Sequence, residues 1–247
     1  MQGLITLDFG NSHPHAGLFQ KVQKDWQLLK VVPLNELSIY LPQFQMGPDN
    51  TSMVLCDVKS REEELNTFIE QGYLLTRIKE YWRGDRFSGM PVHYAITLGE
   101  DRLVEAFYVY KKLKIPALVI DAGTFVTMDV VTPKGFAGGY IIPGIQNYFQ
   151  LFEKGEKLKN VPLTHDFTLA LPQTTAAAMT ESYSAFAALA RTLARAHQLE
   201  KIILTGGNAS LWTTLLTNLE GGCKVEIDQH LIHSSLHYWF TTQIEPT

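Results

Sequence analysis

The chain has 247 residues, 45% of them hydrophobic, enough for one large or two small domains with filled cores. With 21 basic against 25 acidic residues and a net charge of -4, it has no broad cationic surface to hold nucleic acid or anionic lipid by counterion release. Neither is expected as a partner, and the ligand is expected to be small. Cys56 and Cys223 lack C-x-x-C spacing, which argues against a disulfide framework or a zinc site and predicts two reduced, largely buried thiols.

The N-terminus runs straight into an apolar strand-like segment, residues 4–8, without a basic start or a long apolar stretch, so the expected location is cytoplasmic. Residues 16–20 and 26–32 follow as two more short strands, giving a three-stranded meander. A short helix is predicted over 34–44, a strand over 52–56, a helix over 61–71 and a strand over 92–96. From Asp101 the apolar residues Leu103, Ala106, Phe107, Tyr110 and Leu113 recur at helical spacing until Ile115-Pro116 breaks the pattern. That break predicts two domains, 1–114 and 115–247.

The second half repeats the plan. Strands are predicted over 117–121, 125–131 and 136–142, then a helix after Pro143-Gly144. The Ala-rich stretch 174–197 predicts one long helix, because Ala, Leu, Met and Arg dominate it. A strand over 201–205, a Gly206-Gly207-Asn208 turn, a helix over 209–218, a strand over 224–227 and a helix over 230–240 complete the chain.

Two acidic glycine turns punctuate this repeat, Asp8-Phe9-Gly10-Asn11-Ser12 and Asp121-Ala122-Gly123-Thr124, each directly after an apolar run. A glycine admits an oxyanion close to the backbone, Asn and Ser or Thr supply donors, and the aspartate can hold a hydrated divalent cation against phosphates. Taken singly, each turn could simply end a strand; paired, they point to phosphoryl transfer.

Further motifs stand in order: Gly99-Glu100-Asp101-Arg102, the continuation of the second turn through Thr127 and Asp129, Gly138-Gly139-Tyr140-Ile141-Ile142-Pro143-Gly144, Thr175 to Ala178 as T-x-x-A, and Thr205-Gly206-Gly207. In this set and order the chain resembles the type III pantothenate kinases, within the actin-like and sugar-kinase superfamily. The resemblance implies an α/β fold of two ribonuclease-H-like (actin-like ATPase) domains with an ATP cleft between them. It implies ATP-dependent phosphorylation of pantothenate to 4'-phosphopantothenate, at the entry to coenzyme A synthesis. By the same resemblance, Asp8, Gly10, Asn11 and Ser12 bind phosphate, with Asp8 near Mg²⁺ through water, and Thr124 contacts ATP. Asp121 holds a monovalent cation, K⁺ or NH₄⁺. Tyr94, Gly99, Glu100, Asp101, Arg102 and Thr175 form the pantothenate site, with Asp101 as general base and Arg102 pairing with a substrate oxygen. A homodimer that completes the substrate pocket at its interface is implied too.

The chain departs from the family pattern in places. The stretch His93-Tyr94-Ala95-Ile96-Thr97-Leu98 before Gly99 is shorter and lacks the usual Asn-Pro step, the basic residue after the first turn is absent, Thr174 replaces an Asn, and Ser182 replaces a Gly. The same turns also fit a kinase for another small alcohol, or a nucleotide-binding homologue that acts without catalysis. Asp101-Arg102 by itself would read as an ordinary helix start. His13, His15, His165 and His197 show no ligand spacing and read as ordinary surface or core residues.

Overall fold

In the computed structural model, residues 2–10, 14–57, 62–159, 161, 167, 171–216 and 223–245 are described. They form a mixed α/β protein with two sheets of the same plan. By internal contacts the chain divides into a first unit, residues 1–113 with 230–247, and a second, residues 114–229.

The first unit opens with β1 (Gly3–Phe9), β2 (His15–Val22) and β3 (Asp25–Pro33), an antiparallel meander. A 3-10 turn (Leu34–Glu36) leads into α1 (Leu37–Gln43), then β4 (Thr51–Asp57) runs parallel to β1, α2 (Glu62–Glu70) follows, and β5 (Leu74–Arg77) pairs with β4. The resulting order is β3-β2-β1-β4-β5. Every residue of β1 is buried because both its faces are covered. Strand periodicity sends Ile5, Leu7 and Phe9 toward a core shared with Leu37 and Leu41 of α1 and Leu65 of α2. Thr6 and Asp8 face the opposite side.

That side is covered by two helices. A small hairpin, β6 (Arg86–Phe87) and β7 (Met90–Pro91), precedes α3 (Glu100–Tyr108), which continues through one π-helical turn (Val109–Leu113). Lys114 then adopts φ +57 and ends the helix. The last helix of the chain packs beside α3, although it is separated from it by the whole second unit.

The second unit contains β8 (Ala117–Ala122), β9 (Phe125–Thr132) and β10 (Gly135–Pro143), again an antiparallel meander, then α4 (Ile145–Gln150), α5 (Thr175–Glu181), α6 (Ser184–Ala196), β11 (Lys201–Thr205), α7 (Ala209–Leu215) and β12 (Lys224–Ile227). Strand β11 runs parallel to both β8 and β12, giving the order β10-β9-β8-β11-β12. Leu118, Ile120, Val126 and Met128 of the sheet meet Ile145, Ala187, Ala190, Leu204 and Trp212 in one core. The closing helix, α8 (Leu231–Gln243), buries Leu231, Leu236, Trp239 and Phe240.

Three expectations need correction. The strand predicted over 92–96 is a loop: Tyr94 and Ile96 are exposed, and the fifth place in the first sheet is taken by β5. The single helix predicted over 174–197 is broken between α5 and α6, where the Ser182 hydroxyl donates to the Met179 carbonyl at 2.9 Å. The final helix, expected in a domain running 115–247, belongs by contacts to the first unit, where Tyr238 meets Phe107 and Tyr108 and the Trp239 indole donates to Ser88 Oγ at 2.8 Å. Cys56 and Cys223 are free thiols; Cys56 is buried as expected, whereas Cys223 is only partly buried. Among the described residues no helix is long and apolar enough to cross a membrane.

Candidate active site

The first cluster lies at the C-terminal ends of β1 and β4, which parallel pairing brings level: Asp8 lies beside Cys56 and Phe9 beside Asp57. Helix α3 starts over this edge. Its N-cap, Gly99, is extended (φ -62, ψ 144), and Glu100 and Asp101 occupy the first turn, where the helix dipole favours negative charge. Glu100 Oε2 accepts a hydrogen bond from the Asp57 backbone N–H at 3.1 Å and so ties the helix start to the end of β4. Asp101 Oδ1 accepts from the Arg102 N–H at 2.8 Å. A Cβ at position 99 would overlap Asp101 Oδ1, so glycine there gives that carboxylate its room.

Burial dominates the electrostatics. It lifts Glu100 to about 7, against which the Asp57 N–H pulls downward. Asp101 is also raised by burial, opposed by the Arg102 N–H and guanidinium. Cys56 lies beneath these acids, and burial together with Asp8, Asp101, Glu100 and Glu105 pushes its thiol well up, so it is an inert, protonated core residue. The Arg102 guanidinium stacks over the Tyr94 ring at 5.2 Å, so the shortened loop still delivers Tyr94 to the G-E-D-R segment. Asp8, Gly10, Tyr94 and Gly99 to Arg102 are thus carried by the edge of one sheet and the helix start and loop beside it. Asn11 and Ser12 lie outside the described residues.

His15, expected as an ordinary surface or core residue, lies beside Asp8. The hairpin register pairs it with Asp8, and its Nε2 lies 3.5 Å from Asp8 Oδ2. Its Nδ1 is 3.0 Å from Nε2 of His233 on α8, whose Nδ1 is 2.7 Å from Thr6 Oγ1. Burial, with His15 and His230 nearby, lowers His233 well below the ordinary imidazole range and keeps it neutral. Counting along the hairpin pairs residues 8 and 15; nothing local announces His233. His13 and His165 lie outside the described residues, and His197 is the C-cap of α6.

The second cluster is built mainly from backbone. Asp121, one residue from the end of β8, lies opposite Thr205 of β11, and the turn closes as the Gly123 N–H donates to the Phe125 carbonyl at 3.1 Å. The Thr124 carbonyl accepts from the Gly144 N–H at 3.0 Å and from Asn147 Nδ2 at 2.7 Å. A Cβ at Gly144 would overlap the Gly123 carbonyl and come 2.7 Å from that of Thr124. Gly206 has φ +82, and a Cβ there would overlap Asp121 Oδ1 and come 2.8 Å from Ala122 C. The Asn208 N–H donates to the Ala122 carbonyl at 2.9 Å. The D-A-G-T, P-G and T-G-G motifs therefore meet at one edge. Asp129 is buried between Val119 and Gly139 in the sheet. Thr175 is exposed on the first turn of α5, capped by the Thr174 hydroxyl, which accepts from the Ala177 N–H at 3.1 Å. Thr174 thereby performs a cap role open equally to the Asn it replaces.

Comparison with known proteins identifies the family. Over 248 residues the chain is 26% identical to a type III pantothenate kinase of Citrifermentans bemidjiense, covering 92% of this chain and 94% of the relative. It is 27% identical to that of Geobacter sulfurreducens over 228 residues, 84% of this chain and 88% of the relative. A solved structure of a conserved Baf-family protein from Campylobacter jejuni superposes with a TM-score of 0.60 at 19% identity, covering 96% of this chain and 98% of the other, which establishes a shared fold. The family model for type III pantothenate kinase matches residues 4–196, a span that holds both acidic turns and the G-E-D-R helix start, and the chain belongs to that family.

Proposed function

We infer that the chain transfers the terminal phosphoryl group of ATP to the primary hydroxyl of pantothenate, giving 4'-phosphopantothenate, the first step of coenzyme A synthesis. The observation that carries this reading is the family match across residues 4–196, which spans both glycine turns and the helix start with its desolvated Asp101. Phosphoryl transfer asks little covalent chemistry of a protein; it needs alignment, charge neutralisation and an acceptor for the hydroxyl proton.

The finer architecture we propose is two ribonuclease-H-like domains of the actin-like ATPase kind, each giving one turn to ATP. Asp8, Gly10, Asn11 and Ser12 hold phosphate oxygens from the first, and Thr124 contacts ATP from the second. Asp101 is the general base: burial raises its basicity, and the Arg102 N–H holds one oxygen in place. Arg102 pairs with a substrate oxygen, Tyr94 packs on the substrate, and Gly99, Glu100 and Thr175 complete the pantothenate contacts in a homodimer whose interface closes the pocket.

The residues fit the ions this chemistry uses. Gly10 places no side chain against the buried Asp8 carboxylate, to which an added Cβ would come within 3.5 Å of Oδ2. An ion of this kind keeps several waters and is held by one or two carboxylates plus phosphate oxygens. Mg²⁺ bound there through water supplies positive charge against the phosphates. Gly206 keeps the space beside Asp121 Oδ1 clear for a monovalent cation, K⁺ or NH₄⁺. The setting is expected to be cytoplasmic.

The test is product formation followed by mass spectrometry, with Mg²⁺-ATP, K⁺ or Na⁺, and either pantothenate or a panel of small polyols. Phosphopantothenate formed faster in K⁺ is the expected result. Phosphorylation of a polyol alone, or of nothing, would overturn it.

A further inference from the structure

The contacts running from Asp8 into the core are arranged in series. Thr6 and Asp8 share one face of β1, and their register partners on β2 are Gly17 and His15. Gly17 is what lets helix α8 deliver an imidazole here: an added Cβ would come 2.6 Å from Thr6 Oγ1 and 2.8 Å from the His233 ring. His233, 1% exposed, then spans from Thr6 at 2.7 Å to His15 at 3.0 Å, and His15 reaches Asp8. One assignment of hydrogens satisfies every step with neutral rings. The Thr6 hydroxyl, which also lies 3.3 Å from the Gly17 carbonyl, gives its hydrogen to the nearer His233 Nδ1 at 2.7 Å, His233 Nε2–H donates to His15 Nδ1, and His15 Nε2–H faces Asp8 Oδ2.

We propose that His15 and His233 are positioning residues that fix the orientation of the Asp8 carboxylate for Mg²⁺-nucleotide, making the last helix of the chain part of the first phosphate turn. The proposal rests on the assignment of Asp8 to that ligand. Carboxylates and imidazoles that orient a metal-binding group typically change metal affinity by about 10–100-fold when removed. The long step from His15 to Asp8, 3.5 Å, places the expected effect at the lower end, about tenfold.

The experiment compares wild type with His233→Phe, His233→Gln and His15→Leu, each checked for folding by circular dichroism. The proposal expects the KM for Mg²⁺-ATP and the Mg²⁺ needed for half-activation to rise about tenfold in His233→Phe and His15→Leu, with the pantothenate KM unchanged. His233→Gln, which keeps a donor toward His15, should recover most of the loss. In an Asp8→Asn background, His233→Phe should add nothing, since the relay then has no carboxylate to orient. His15 is half-buried at the strand end, so its variant remains informative if His233→Phe fails to fold. Folded variants with wild-type Mg²⁺ and ATP parameters would overturn the proposal, as would equal losses in the Asp8→Asn background. Should wild type not phosphorylate pantothenate, calorimetric binding of Mg²⁺-ADP to the same set separates the two claims. A tenfold weakening there supports the relay, and equal affinity, or no binding by wild type, overturns it.

Discussion

The two sheets have the same strand order, yet the ends of their strands solve the problem of holding polar groups by opposite means. At the end of β1 and β4 the work falls to side chains: Asp8, Glu100 and Asp101 are drawn out of water, and two histidines brace the first of them. At the end of β8 and β11 it falls to the backbone, with Gly123, Gly144 and Gly206 bringing carbonyls and N–H groups within one atom's width of each other. Two turns that read alike as D-x-G therefore differ in what a substitution would do. In the first unit it should alter charge and proton affinity; in the second it should alter shape.

The largest effect expected is on the side-chain edge. Asp101→Asn keeps the shape and the bond from the Arg102 N–H but removes the base, so kcat should fall by about 10²–10⁴-fold with nucleotide affinity retained, measured by steady-state kinetics and calorimetry. Equal loss of nucleotide binding would show that the carboxylate serves structure instead.

Glu100→Gln comes next and acts on stability. Burial lifts the Glu100 carboxyl from 4.5 to about 7, so between those values the folded chain holds a proton that the unfolded chain has lost. The ionised group therefore costs stability as pH rises through that window and above it. The glutamine variant should be more stable than wild type at pH 8 by on the order of 3 kcal/mol and show no gain near pH 4, by urea denaturation at both values. A gain independent of pH would contradict the buried-charge account.

On the backbone edge, Gly144→Ala should lose about 2 kcal/mol, because the new methyl meets the Gly123 and Thr124 carbonyls and neither can yield as a side chain would. Its effect should be the same at pH 6 and pH 8, which is the sharpest contrast with Glu100→Gln. Smallest is Thr174→Ala, about 1 kcal/mol from loss of the α5 cap, with Thr174→Asn nearly neutral by thermal melting.

Much of this layout was legible in the sequence because local chemistry determined it. Short apolar runs ending in Asp and Gly marked β1 and β8, and Pro116 marked the passage between units. The misreadings came from non-local pairing. Residues 92–96 have strand-like composition, but the place beside β4 is filled by residues 74–77, whose Leu74 is exposed at the sheet edge and left no clear alternation. The Ala-rich stretch gave no sign of its break, which depends on Ser182 turning to the Met179 carbonyl and on the Tyr148 hydroxyl 2.7 Å from Ser182 Oγ. Helix α8 mixes apolar residues with His, Ser and Thr and shows no clean face; what ties it to the first sheet is non-local, the ring of His233 in the space left by Gly17 and the ring of His237 against Phe19 and Trp26.

The most direct measurement is pantothenate-dependent ADP release by wild type and by Asp101→Asn, in Mg²⁺ and K⁺, across pH. The account predicts turnover in wild type that falls on the acid side above the ordinary carboxylate range, since burial raises Asp101, and turnover lost in the variant at every pH. Undiminished turnover in Asp101→Asn would contradict the assignment of the base, and absence of pantothenate-dependent turnover in wild type would contradict the proposed reaction.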